Sequence, residues 1–130
     1  MRKPGLIVSN GIKVKPMSVN QSYLGRKVKS AAYHKYEKLV LSILEFDPVP
    51  EKGLLEIDFV FGVSSKLADL DNPIKALMDL LQKLHTFNDN RVFKLSAVKK
   101  LVPKGEEFFH YSIFPYIGNI NLKLEDILSV

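Results

Sequence analysis

Between Leu54 and His85 the apolar residues change their spacing once, and that change constrains the fold more than any other feature of the chain. Leu55, Ile57, Phe59 and Phe61 alternate with Glu56 and Asp58, the period of a half-buried strand running from Leu54 to Val63. Ile74, Leu77, Met78, Leu81 and Leu84 then recur at three- and four-residue steps, which predicts an amphipathic helix from about Pro73 to His85. Lys75, Asp79, Gln82 and Lys83 fall off its buried face. The two patterns meet at Asp69-Leu70-Asp71-Asn72-Pro73. Asn72 suits a helix cap, and Pro73 suits the first helical position, where its missing N–H costs nothing.

This junction carries more polar chemistry than a turn requires. Residues two apart on extended backbone point the same way, so Asp69 and Asp71 can converge on one point. Like charges held that close raise each other's pKa unless a cation lies between them. Oxygen ligands select hard ions such as Mg²⁺ or Mn²⁺. Steps of four from Asp71 give Lys75 and Asp79, one stripe of a helix, which aims an ammonium toward the carboxylates. A plainer reading is also open: Asp69 ends a strand, Asp71 belongs to a cap, and Lys75–Asp79 is a solvated ion pair. Spacing alone does not separate the two.

The other segments follow the same rules. Leu6 to Val14 reads as a strand or small hairpin, with Asn10-Gly11 as a two-residue turn and Pro16 as its end. Ser18 to Lys29 reads as a basic loop. Its Arg26, Lys27 and Lys29 form either a phosphate-contacting arm or an ordinary solvated surface. A helix is predicted from Ser30 to Leu44, capped by Ser30, with Tyr33, Tyr36, Val40, Ile43 and Leu44 on one face. Asp47 to Gly53 is a loop by its prolines and glycine. Thr86 to Arg91 is a turn rich in Asn and Asp, and Val92 to Leu101 is a strand. Pro103-Lys104-Gly105-Glu106 reads as a hairpin turn to an antiparallel partner, Phe108 to Tyr116. The sum is an α+β domain, a small, mostly antiparallel sheet backed by two helices. A short helical turn is expected near Leu124–Leu128.

The chain has 130 residues, enough for one domain spanning 1–130 that buries about two-thirds of its unfolded surface. No apolar run reaches the roughly 20 residues of a membrane span, and the N-terminal residues lack a secretory signal. The absence of cysteine excludes disulfides and thiolate metal sites and suits a reducing cytoplasm. His34, His85 and His110 lack the spacing of a zinc site and read as surface or partly packed residues. Lys and Arg outnumber Asp and Glu by 19 to 14, a net charge of +5. Yet Asp69, Asp71, Asp79 and Asp89 crowd into one short region. That distribution suits a protein that attracts a polyanion while holding a cation at one spot.

Asp69-x-Asp71-Asn72-x-x-Lys75-x-x-x-Asp79, followed by Asp89 in a turn and a strand from Val92, resembles the RusA family of Holliday junction resolvases. Pro16-x-Ser18-x-Asn20 and Val98-Lys99-Lys100 before Lys104-Gly105 extend the likeness over roughly residues 12 to 115. The resemblance implies a metal-dependent endodeoxyribonuclease of bacterial or phage type, acting in DNA recombination and repair in the cytoplasm of the host cell. It implies a homodimer that nicks opposed strands of a four-way junction. It implies that Asp69, Asp71 and Asp89 hold Mg²⁺ or Mn²⁺, that Lys75 is catalytic, and that Asn72 and Asp79 support them. Arg26, Lys27, Lys29, Lys99 and Lys100 would guide the DNA backbone. The chain departs from the family pattern at Asn88, where members often carry a second acid, and in a helix-to-turn segment one residue shorter. A non-catalytic branched-DNA-binding module and a flap- or fork-cutting nuclease are the alternative readings.

Overall fold

A computed structural model of the chain describes residues 5–17, 23–24 and 28–117. Six strands occur in it: β1 (Val8–Ile12), β2 (Tyr23–Leu24), β3 (Val28–Lys29), β4 (Leu55–Val63), β5 (Val92–Leu101) and β6 (Phe108–Pro115). The helices are α1 (Ala31–Ile43) and α2 (Asn72–His85). β1, β6, β4 and β5 form one sheet in that order, while β2 and β3 make a two-residue ribbon. Arg26, Lys27 and the predicted helical turn at Leu124–Leu128 lie outside the described residues.

β4 is an inner strand, paired along one edge with β5 and along the other with β6. Its alternate residues Leu55, Ile57, Phe59 and Phe61 are buried, and Phe59 and Phe61 stack at 5.6 Å. Each such side chain contributes about 1.5–3 kcal/mol by leaving water. Tyr111, Phe109 and Ile113 of β6 continue the same buried layer. The two helices pack on this side. Tyr33, Tyr36 and Val40 bury the inner face of α1, and Leu77, Leu80, Leu81 and Leu84 that of α2. Ser30 caps α1 as its sequence predicts, its hydroxyl accepting from the Tyr33 N–H at 3.1 Å. Lys83 pairs with Glu37 and ties the helices together on the outside.

The α+β class is as the sequence predicts, but the sheet is mixed. β5 pairs with β4 in parallel, and β6 lies between β4 and β1, antiparallel to both. The Pro103–Glu106 segment is therefore no hairpin turn. It carries the chain from β5 past the end of β4 to β6, and the Val102 N–H is fixed to the Val63 carbonyl at 2.8 Å. A helix between β4 and β5 imposes this order, because such a crossover returns the chain parallel to the strand it left. Asn10-Gly11 is not a turn either. Both residues lie within β1, opposite Tyr111 and His110. A Cβ on Gly11 would stand 3.0 Å from the His110 ring, so glycine serves close approach here and not a positive φ.

Candidate functional site

The parallel pair gives the sheet two unlike ends. β4 finishes at Val63, beside Leu101 of β5. Residues 64–71 leave from that end, and α2 then runs back toward the end where Leu55 meets Val92. Loops at the carboxyl ends of parallel strands are the usual place for ligands in such units. The Asp69–Asp79 motif lies there.

The loop is pinned from β5. The Lys99 ammonium donates to the carbonyls of Lys66 at 3.1 Å and Ala68 at 2.7 Å. Ser65 adds an acceptor for the Leu67 N–H at 3.1 Å. Asp69 and Asp71 are both exposed on this pinned segment. Asp69 comes six residues after β4 ends, so it does not terminate the strand. Asp71 occupies the cap position of α2, with φ −83° and ψ −31°, yet its side chain makes no capping hydrogen bond. Its carboxylate is thus not consumed in holding the helix. That helical backbone also means the expectation of two acids aligned on extended chain does not carry over to Asp71. Asn72 is the first helical residue and Pro73 the second, one place later than predicted. The side chain of Asn72 lies outside what is described. Lys75 is exposed in the first turn, and Asp79 is half-buried one turn further on.

Asp89 is elsewhere. It opens the 3-10 turn Asp89–Arg91, just before Val92 pairs with Leu55. Its N–H donates to the Gln82 side chain, and Arg91 is bound to the carbonyls of Gly53 and Pro50. The 14 residues of α2 separate it from Asp71, a length of about 20 Å at the usual helical rise. Among the described residues no three His, Asp or Glu side chains gather closely enough to hold a metal ion. The three acids therefore do not fit one ion within a single chain. Asp69 and Asp71 remain the two acids on the segment between β4 and α2.

Some of the described basic residues lie at the Val63 end. Lys13 and Lys15 follow β1, whose Gly11 and Ile12 lie opposite His110 and Phe109. Lys99 and Lys100 pair with Phe61 and Gly62, and Lys104 is on the link to β6. Lys13, Lys100 and His110 line one hollow on the sheet face away from the helices. Lys75 is exposed in the first turn of α2, on the helix-bearing side of the sheet. Lys99 plays a part the sequence does not suggest: its charge is spent on fixing the acidic loop. Lys29 is in β3, and its backbone pairs with Tyr23.

A cavity of about 340 Å³ opens beside the motif, lined by Lys15, Pro16, Leu67, Asp69, Pro73 and Glu107 among others. Asp71 is not part of its wall. Glu107 escapes a reading of the sequence, because it is one acid of a Glu106-Glu107 pair in a link with no motif around it. In the fold its carboxylate accepts from the Ser64 hydroxyl at 2.9 Å and the Gly105 N–H at 2.8 Å. Its own backbone N–H, the Ser64 hydroxyl, the Gly105 N–H and nearby Lys15 hold its pKa below the usual carboxylate value.

His85 also differs from expectation. It is fully buried, and both ring nitrogens are used. The Asp47 carbonyl can only accept, so Nδ1–H donates to it at 2.6 Å. Nε2 then accepts from the Tyr111 hydroxyl at 2.7 Å, and that hydroxyl accepts from the Asn10 amide at 2.9 Å. Burial lowers the His85 pKa against the opposing pull of the Asp47 carbonyl and carboxylate. Burial also pushes the Tyr111 hydroxyl up to about 12.

Comparison with known proteins returns no matching family model and no significant match among curated proteins. Among the described residues no helix is long and apolar enough to cross a membrane.

Proposed function

We propose that the chain is a metal-dependent endodeoxyribonuclease that resolves four-way DNA junctions by nicking opposed strands. The observation that carries the reading is the gathering of Asp69, Asp71 and a set of lysines at the Val63 end of one sheet. Lysines bring a phosphate backbone to that end with little regard for base sequence. The carboxylates then meet a phosphodiester, whose hydrolysis is helped by a cation that relieves its negative charge.

Asp69 and Asp71 would hold Mg²⁺, or Mn²⁺ by the same oxygen chemistry. Bound there, the ion supplies an acidified water and polarises the phosphate. Lys75, one helical turn after Asp71, offers its ammonium to the charge that develops on the phosphate. Lys99 keeps residues 66–68 in place and so positions Asp69. Asp89 reaches this site only from the partner subunit of a homodimer. A two-fold dimer presents one site to each of two symmetry-related strands of a junction. The same placement of Asp89 favours a second reading, a branched-DNA-binding module without catalysis.

A synthetic four-way junction separates them. With Mg²⁺ the protein nicks two opposed strands, and with EDTA it binds without cutting. Asp71→Asn binds the junction and does not cut it. Cutting by that variant, or cutting in EDTA, overturns the proposal. Metal-independent binding with no nicking by the wild-type chain supports the module instead, and nicking confined to flaps or forks identifies a different branched substrate.

A further inference from the structure

The cavity beside Asp69 has features that the hydrolysis of a phosphodiester does not use. Its volume of about 340 Å³ lies at the small end of ligand pockets, which run from about 300 to 1,000 Å³. That is room for one unpaired nucleobase with its sugar. Pro16, Val63, Leu67, Ala68 and Pro73 give it flat or apolar walls suited to the faces of a base. Lys15 adds a cation for a backbone phosphate. The polar feature with a fixed direction is the Glu107 carboxylate. The Ser64 hydroxyl donates to one oxygen and the Gly105 N–H to the other, which orients the group. An ionised carboxylate can only accept hydrogen bonds, and it retains lone pairs after taking those donors. It therefore selects a ligand edge that donates.

We propose that this cavity receives an unpaired, amino-bearing nucleobase of branched DNA, with Glu107 accepting a hydrogen bond from the exocyclic amine. The inference rests on the reading of the neighbouring motif as DNA-directed. A nucleotide whose base enters here places its phosphate beside Asp69, which lines the same cavity. Bases at a branch point are partly unstacked already, which lowers the cost of moving one out. Carboxylates read the amino group of a base in this way at other protein–DNA contacts. Glu107 thus sets which nucleotide is presented, and the phosphate chemistry belongs to the motif on the other wall.

The test is equilibrium binding in EDTA, with no cleavage step. The probes are branched duplexes identical except at one unpaired position, which carries adenine, unsubstituted purine or an abasic site. Purine keeps the shape of adenine and lacks the amine. The wild-type chain should bind the adenine probe about tenfold more tightly than the purine probe, the usual effect of a hydrogen bond to a charged group. The abasic probe should bind more weakly again. Glu107→Leu should bind adenine and purine probes equally. The comparison of DNA probes on the wild-type chain holds even if that variant fails to fold. Equal affinity for adenine, purine and abasic probes overturns the base-reading role and leaves the nuclease proposal standing. A failure to bind any branched probe removes both. Adenine selectivity without Mg²⁺-dependent nicking supports this inference and removes the nuclease.

Discussion

Replacing His85 by Leu should cost about 2–4 kcal/mol and remove much of the acid sensitivity of the fold. The magnitude follows from the buried chain of donors. His85→Leu deletes the bond to the Asp47 carbonyl and leaves the Tyr111 O–H without an acceptor inside the core. A stranded buried hydroxyl costs about 1–3 kcal/mol, and a lost hydrogen bond about 1 kcal/mol. Tyr111→Phe in the same background removes the stranded group. The double variant should then be destabilised by less than the sum of the singles, by a coupling of about 1–2 kcal/mol.

The pH dependence has a fixed sign. The His85 pKa in the folded chain lies below the unfolded value of 6.5, so around that pH the unfolded state binds more protons. The His85 contribution is complete above pH 6.5 and is lost as pH falls through 6.5 toward the lowered pKa. Protonation also adds an N–H at Nε2 facing a hydroxyl that already accepts from Asn10. Urea unfolding followed by circular dichroism at pH 5, 6, 7 and 8 gives the comparison. The wild-type midpoint should fall between pH 7 and 5, by more than that of His85→Leu. An equal pH slope in the two proteins would refute the account of the buried network.

Other perturbations address the site and its support. Lys99→Met should leave the fold within about 1 kcal/mol and speed amide exchange at Leu67 to Leu70, since it frees the carbonyls of Lys66 and Ala68. Unchanged exchange there would mean that the ammonium does not pin the loop. Asp71→Asn mixed with Asp89→Asn should regain single-strand nicking that neither variant has alone, because one site of the mixed dimer keeps both acids; no recovery would exclude a shared site. Gly62→Ala should cost about 1–3 kcal/mol by urea midpoint, because its Cβ would collide with the Phe108 ring. In a Phe108→Ala background the same change should be nearly neutral, and an undiminished cost would place the strain elsewhere.

Local periodicity made both helices and the central strand legible. Tyr33, Tyr36 and Val40 bury the face that their spacing assigns, although Ile43 at the end of that face is exposed, and Leu77, Leu81 and Leu84 are buried as their spacing predicts. Pairing between strands was not legible, because a short link such as Pro103–Glu106 is compatible with a hairpin or with a step past one strand. The choice is made by the helix between β4 and β5, a non-local constraint. Asn10-Gly11 misled for a related reason: glycine answers equally to a turn and to an imidazole on the next strand. His85 carried a signal that periodicity offers. It stands four residues after Leu81 and seven after Met78, on the buried face of α2. The acids were legible as a motif, but their distances were not. Asp69 and Asp89 lie 20 positions apart in sequence, and only the direction of α2 reveals that they occupy opposite ends of the sheet. Glu107 reaches the cavity through strand order alone, so no local pattern marks it.

If DNA is drawn to the edge where β4 stops, then neutralising charge at that edge must matter and neutralising it at the other must not. Junction affinity in EDTA, measured from 50 to 200 mM salt, makes the comparison. Lys13→Gln with Lys100→Gln should flatten the slope of log K against log salt by up to about 0.9 for each phosphate that a lysine no longer neutralises. Lys52→Gln with Lys94→Gln, at the Leu55 end, should leave the slope as in the wild-type chain. Equal slopes for the two pairs, or a larger flattening from the Lys52 and Lys94 changes, would contradict the placement of DNA on which the functional account stands.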